Sequence, residues 1–151
     1  MSSKKLNLLI LLLLFSLPRQ AIAQNADTDK LTEGARLNTF GELYYKGETV
    51  PYDMVKAMHY FREAEKLDYV PVYNNLGNMY YYGYVVLKDY QKAFEYYLKA
   101  GNRGVAYGQY NVGYMYQTGY GVKRGMAEAV AWYTKAAENG YVRAQHLLGD
   151  I

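Results

Sequence analysis

Residues 113–149 read GYMYQTGYGVKRGMAEAVAWYTKAAENGYVRAQHLLG, and the glycine that opens the stretch returns to close it 36 residues later. Laid back over the chain, the same unit begins at Gly41 and Gly77 as well as Gly113, and starts again at Gly149. A fixed period of this size marks a stacked repeat architecture. The register holds position by position. Phe40, Leu76, Val112 and Leu148 precede the marker glycine, and Tyr44, Tyr80 and Tyr116 follow it. Gly47, Gly83 and Gly119 come next, then Val50, Val86 and Val122, then Ala57, Ala93 and Ala129. The aromatic pairs Tyr60-Phe61, Tyr96-Tyr97 and Trp132-Tyr133 follow, and Ala64, Ala100 and Ala136 close the pattern.

Each unit reads as two antiparallel helices. Helix A is expected over 36–46, 72–82, 108–118 and 142–150, because Val72, Leu76, Met79 and Tyr80 fall on one stripe of a 3.6-residue period. Helix B is expected over 53–67, 89–103 and 125–139, with Ala57, Phe61 and Ala64 on one face. Gly47, Gly83 and Gly119 suit the left-handed residue that ends a helix. Asp53, Asp89 and Gly125 suit the cap that begins the next. The marker glycine falls inside helix A, where it costs about 1 kcal/mol against alanine; its recurrence predicts close backbone approach to a neighbouring helix. The fold class is therefore all-α, an α/α superhelical solenoid of antiparallel helix pairs. Trp132 shares its position with Tyr60 and Tyr96 and is expected to be buried inside the third unit.

These positions resemble the unit of the Sel-one-like repeat family, a relative of the tetratricopeptide repeat. Ala144 and Leu148-Gly149 match its start, Tyr116, Gly119, Gly121 and Val122 its middle, and Ala129, Trp132-Tyr133, Lys135, Ala136-Ala137 and Gly140 its end. The second unit matches through Leu76-Gly77, Tyr80, Gly83, Val86, Asp89, Lys92-Ala93, Tyr97, Lys99-Ala100 and Gly104. The first departs at Arg36, Thr49 and Glu63. The resemblance implies a superhelix that serves as a scaffold for protein–protein contacts, with exported bacterial members linked to envelope processes, host interaction and signalling. Cysteine-rich secreted relatives are associated with penicillin binding and weak β-lactamase activity; this chain has no cysteine, so that hydrolase reading is not carried over.

The N-terminus reads as an export signal. Lys4 and Lys5 precede the apolar run 6–17, and Ala21-Ile22-Ala23 offers small residues to a signal peptidase. Cleavage is expected between Ala23 and Gln24, giving a leader 1–23, a flexible N-terminal arm 24–34 and a repeat array 35–151. The alternative is an uncleaved anchor, although the run is shorter than the ~20 residues a spanning helix needs. No stable membrane insertion is expected after cleavage, and the protein is expected in the periplasm or secreted. The chain has 17 Lys+Arg and 14 Asp+Glu. Lys4, Lys5 and Arg19 would leave with the leader and balance the charge, which removes support for a nucleic-acid partner.

All three serines, at 2, 3 and 16, lie in the leader, so serine and cysteine nucleophiles are excluded from the mature chain. His59 and His146 are too far apart in the repeat order for a metal site or a catalytic relay. No catalytic residue, metal or cofactor is expected. Glu42, Glu63, Glu65 and Glu95 read as solvated helix charge. The glycine-rich 119–125 lacks a preceding strand and a Gly-Lys-Ser/Thr ending, so it reads as a turn rather than a phosphate loop.

All 20 tyrosines follow the leader. Seven hold core positions. Some of the others form a stripe on helix A with offsets of four and three, the spacing of one helix face. Successive helices present Asn38, Glu42 and Tyr45, then Asn74, Asn78 and Tyr81, then Tyr110, Tyr114 and Gln117. These nine residues are the candidate partner-binding surface, lining a concave helix A face. Tyrosine offers rigid amphipathic area and asparagine paired donors and acceptors. The expected ligand is a protein or peptide; a glycan or peptidoglycan is the alternative. At the end of the array, Leu147 stands where Thr39, Asn75 and Asn111 stand earlier, and with Ile151 makes a small apolar patch. It reads either as a frayed end or as a site of weak self-association through the C-terminal helix.

Overall fold

Seven helices follow one another in the computed structural model, which describes the backbone of residues 19–149 and side chains from Ala26 onward. The segment 1–18, with most of the expected leader, and Ile151 of the expected terminal patch lie outside the described residues. The helices are α1 (Arg19–Lys46), α2 (Met54–Lys66), α3 (Val72–Tyr82), α4 (Tyr90–Asn102), α5 (Ala106–Thr118), α6 (Met126–Glu138) and α7 (Val142–Gly149). They pack in order, α1 on α2, α3 on α4 and α5 on α6, with each pair resting on the next. This is the all-α solenoid that the period predicts, and no strand occurs among the described residues.

Two backbone bonds, repeated in every unit, set the geometry. The amide N–H of the helix B cap donates to the carbonyl of the repeated tyrosine: Asp53 to Tyr44 at 3.1 Å, Asp89 to Tyr80 at 2.9 Å and Gly125 to Tyr116 at 3.0 Å. At the other connection Tyr69, Val105 and Tyr141 donate to the carbonyls of Ala64, Ala100 and Ala136, at 3.2, 3.1 and 2.9 Å. Helix B starts as the capping residues predict. The carboxylates of Asp53 and Asp89 accept from the backbone N–H of Lys56 and Lys92, each worth about 1 kcal/mol. Helix A stops at Gly83 and Gly119 with φ of 76° and 78°.

The core runs along the array through Ala57, Phe61, Leu76, Met79, Tyr97, Val112, Met115 and Tyr133, all buried. The marker glycines receive the second aromatic of each pair. A Cβ on Gly41 would stand 2.4 Å from the Phe61 ring, on Gly77 2.4 Å from the Tyr97 ring, and on Gly113 2.7 Å from the Tyr133 ring. The expected close approach is therefore made to helix B, chiefly through an aromatic ring that lies on the glycine, with the Ala129 carbonyl oxygen also 3.1 Å from a Cβ on Gly113. Burying such a ring contributes about 1.5–3 kcal/mol.

One expectation is corrected, that of a Trp132 buried inside its unit. The segment 24–34, expected as a flexible arm, lies within α1. It carries no Pro or Gly between Gln20 and Glu33, so helix propagates outward from the packed turn at Gly34, which lies under Tyr69. The side chains from Ala26 to Thr32 nonetheless stay exposed. Trp132 is only partly buried. Its ring leaves the interior of its own unit and lies against Gly101 of the preceding one, with the Lys135 ammonium 4.1 Å above it.

Candidate functional site

Helices α1, α3 and α5 carry the nine residues expected on the partner face, and the structure divides them. Asn38 and Asn74 are buried beneath the face rather than exposed on it. Their amides join consecutive A helices: Asn75 Nδ2 donates to Asn38 Oδ1 at 2.9 Å, and Asn111 Nδ2 donates to Asn74 Oδ1 at 2.8 Å. Asn38 Nδ2 donates in turn to Glu42 Oε1 at 2.8 Å. Burial and these bonds place the two amides in the joint between A helices. Gln117 is taken as well, accepting the Tyr133 hydroxyl at 2.7 Å.

The others, with Asn74 at the base of one, surround two adjoining hollows. The first has a volume of about 170 Å³ and is lined by Asn78, Tyr81, Tyr82, Tyr97, Tyr107, Tyr110, Asn111, Tyr114 and Arg143. It therefore brings together four of the expected residues: Asn78, Tyr81, Tyr110 and Tyr114. Glu42, Tyr45 and Asn74 line the second with Lys46, Pro71, Asn75, Val105 and Tyr107. Tyr107 belongs to both, so the hollows meet at its ring. Behind the first, the Tyr97 ring passes over Gly77 and its hydroxyl donates to Asn78 Oδ1 at 2.8 Å. The core thus fixes the orientation of a residue on the face.

The electrostatics of the face are those of neutral phenols. Burial, with neighbouring tyrosines, pushes Tyr45 up to about 12. Burial and then the Tyr114 hydroxyl, 3.5 Å away, raise Tyr81, and burial raises Tyr82. The hydroxyls are therefore donors and acceptors without charge at neutral pH. Arg143 supplies the charge of the first hollow, and no described acid forms an ion pair with it.

Tyr82, Tyr107, Asn111 and Arg143 were not legible as site residues. Tyr107 lies three before Tyr110, on the same helix face, and Arg143 holds the same repeat position one period on. Extending the stripe by one turn would have found both, but Ala35 and Pro71 fill that position in the earlier units. Tyr82 follows Tyr81 directly, so stripe spacing does not select it.

The B side of the array carries a different surface. Arg62 donates to Glu65 at 2.7 Å, to the Tyr96 hydroxyl at 2.6 Å and to the Tyr80 hydroxyl. Burial alone would lower its pKa; the bonds to Glu65 and Tyr96 outweigh it and hold the guanidinium above its ordinary value. Lys92 lies 4.7 Å over the Tyr80 ring and Lys99 5.2 Å over the Tyr96 ring. Of the four glutamates read as solvated helix charge, Glu42 is engaged by Asn38, Glu63 by Lys66 and Glu65 by Arg62, and Glu95 is exposed. Among the described residues no cluster of His, Cys, Asp and Glu could hold a metal, and no helix is long and apolar enough to cross a membrane.

Comparison with known proteins gives a consistent answer. A family model described as the Sel1 repeat matches residues 40–69, 71–105 and 106–141. A protective antigen of uropathogenic Escherichia coli that displays an SLR fold is 34% identical over 89% of this chain, with a TM-score of 0.73. A Sel1 repeat protein from Oxalobacter formigenes is 30% identical over 78% of the chain, with a TM-score of 0.71. Cysteine-rich protein B of Helicobacter pylori is 25% identical over 86% of the chain, with a TM-score of 0.65. The chain spans 28% of the first of these, 48% of the second and 97% of the third. No curated protein matches it.

Proposed function

The chain belongs to the Sel1 repeat family, and from that membership we propose that it is a non-catalytic scaffold that binds a protein or peptide partner on the helix A face. Sel1 repeat proteins serve in general as protein–protein interaction scaffolds. The observation that supports the finer reading is the tyrosine hollow between α3, α5 and α7, with Tyr82 52% and Tyr107 40% exposed at its rim. Rigid aromatic rings with hydroxyl tips lose little entropy on binding and are enriched among interface hot spots. The same proposal has the protein exported, periplasmic or secreted, on the strength of the leader-like residues 1–23.

The test is affinity capture from envelope extract with three baits: wild type, Tyr82→Ala/Tyr107→Ala, and Lys92→Ala/Lys99→Ala on the B side. A partner held by the first and third but lost by the second is the expected result. Equal retention by all three would refute the face assignment. Calorimetric titration with peptidoglycan fragments separates the glycan reading, since saturable heat there would replace the protein partner. N-terminal sequencing of exported material should begin at Gln24, and an N-terminus that still includes 6–17 would overturn the cleavage site. Purified protein should not turn over a chromogenic lactam.

A further inference from the structure

The turn that joins α5 to α6 lands on the start of α4. A Cβ on Gly121 would stand 2.1 Å from the Tyr90 carbonyl oxygen, so the bare backbone of the third unit's turn rests directly on the second unit's helix B. That contact brings Tyr120, which lies between the left-handed residues Gly119 and Gly121, over Tyr90. The two rings are 4.6 Å apart between centroids and within 9° of parallel. Among the described residues no other ring pair lies closer than 4.9 Å. A centroid separation of 4.6 Å between nearly parallel rings is that of an aromatic stack, with the two phenols in contact. Tyr120 is 39% exposed, and no described residue hydrogen-bonds either hydroxyl. The stacked Tyr80–Tyr96 pair differs on both counts, being buried with both hydroxyls bonded to Arg62.

We propose that Tyr90 and Tyr120 form an oxidative cross-linking site that couples ring to ring as dityrosine and staples the second unit to the third. The co-reactant is a one-electron oxidant of the peroxidase class with hydrogen peroxide as terminal acceptor. Each phenol gives up one electron and one proton. The two phenoxyl radicals join through their ortho carbons, and the hydrogens on those carbons pass to the oxygens as the rings recover aromaticity. Overall the protein loses two hydrogens and one peroxide becomes two waters. Tyr120 sits at the surface, where the oxidant reaches it, and its partner is already in place. The equivalent turn of the second unit has Tyr84 opposite Met54, and a thioether cannot complete that bond. Other tyrosine pairs also bridge units, Tyr45–Tyr84 at 6.0 Å and Tyr110–Tyr141 at 4.9 Å, but these are edge-on or tilted. Among the described residues the stacked pair across units is Tyr90–Tyr120, in a chain that has no cysteine to make a disulfide.

The experiment treats the folded protein with a haem peroxidase and hydrogen peroxide, and reads intact mass, dityrosine fluorescence and tryptic peptides. The expected product is a monomer lighter by two hydrogens, with peptide 89–92 joined to peptide 104–123 through Tyr120. Tyr90→Phe and Tyr120→Phe keep the stack but lack one phenol, so each should abolish that linked pair while leaving the far-ultraviolet spectrum and melting curve unchanged. In urea the pair should vanish into scattered links. Absence of the 90–120 link in the wild type, a link through another tyrosine as the main product, or survival of the product in either Phe variant would each overturn the proposal.

Discussion

The junction between the first and second units and the junction between the second and third use the same 36-residue period in opposite ways. At the first, Glu65 and Val72 stand at the contact, and Arg62 reaches across to Tyr80 and Tyr96. At the second, the same two repeat positions are Gly101 and Gly108. A Cβ on Gly108 would stand 2.7 Å from Ala100 Cβ and 3.0 Å from the Gly101 nitrogen. The first junction is held by side chains, and the second adds to its side-chain contacts a direct approach of backbone to backbone, with Gln109 Nε2 donating to the Gly101 carbonyl. A repeat family can therefore keep its period while changing what bonds neighbour to neighbour. A constant period says nothing about whether the interfaces are equally tolerant.

The comparison breaks most visibly at Gly108. Gly108→Val should cost about 3 kcal/mol, because the intruding atoms meet backbone that cannot step aside. Chemical denaturation measures it, and a loss below that of an ordinary surface change would mean the second junction is looser than described. Arg62→Ala is the matching cut at the first junction. It should cost about 1–2 kcal/mol, since the bonds to Glu65, Tyr80 and Tyr96 are charge-assisted but partly wet. Coupling between the two variants should be small, and a large non-additive term would show that the junctions are one cooperative unit.

Alkaline titration sharpens the first junction further. Burial, then the bond to Asp68, pushes Tyr73 up to about 12 from its ordinary value near 10. A folded pKa above the unfolded one means that the folded state holds its proton longer. The stability this gives is complete below pH 10 and is lost as pH rises through 12. Tyr73→Phe should flatten the fall in stability across that window, and an unchanged slope would assign the loss to other tyrosines. The smallest expected effect is a gain. Val85 occupies the repeat position of Gly121 and has φ of 64°, a region unfavourable to a β-branched residue. Val85→Gly should relieve strain in excess of glycine's own entropy cost and stabilise by about 0.5 kcal/mol. A fall in melting temperature would mean that the exposed Val85 side chain contributes contacts that outweigh the strain.

The sequence pattern carried the fold well because the positions that build it recur at a strict interval. Marker glycines, repeated aromatics and the two aspartate caps all fall 36 apart, and backbone bonds join the same places in every unit. The face was harder to read for a physical reason. Asn75 bonds Asn38 and Asn111 bonds Asn74, pairs that are 37 apart. Comparing equivalent positions cannot find partners one residue out of register, so Asn38 and Asn74 looked free when they are the rungs of a ladder. Tyr107 and Arg143 were hidden because Ala35 and Pro71 show nothing at their position. Trp132 read as core because its equivalents are tyrosines, yet Gly101 opens a space on the neighbouring unit that its ring fills.

The unequal junctions also fix the order of the units. Suppose residues 72–107 were excised, so that the first unit ran straight into the third with the period unbroken. Arg62 would then meet Tyr116 and Trp132 where it now meets Tyr80 and Tyr96, and an indole nitrogen carries a hydrogen but no lone pair to accept one. Gly108 would face Ala64 and Glu65 instead of Ala100 and Gly101, leaving a carboxylate where the closest backbone approach is needed. The three helix pairs share a period and their backbone bonds and are still different enough not to be exchanged; each carries on one side the complement of a single neighbour.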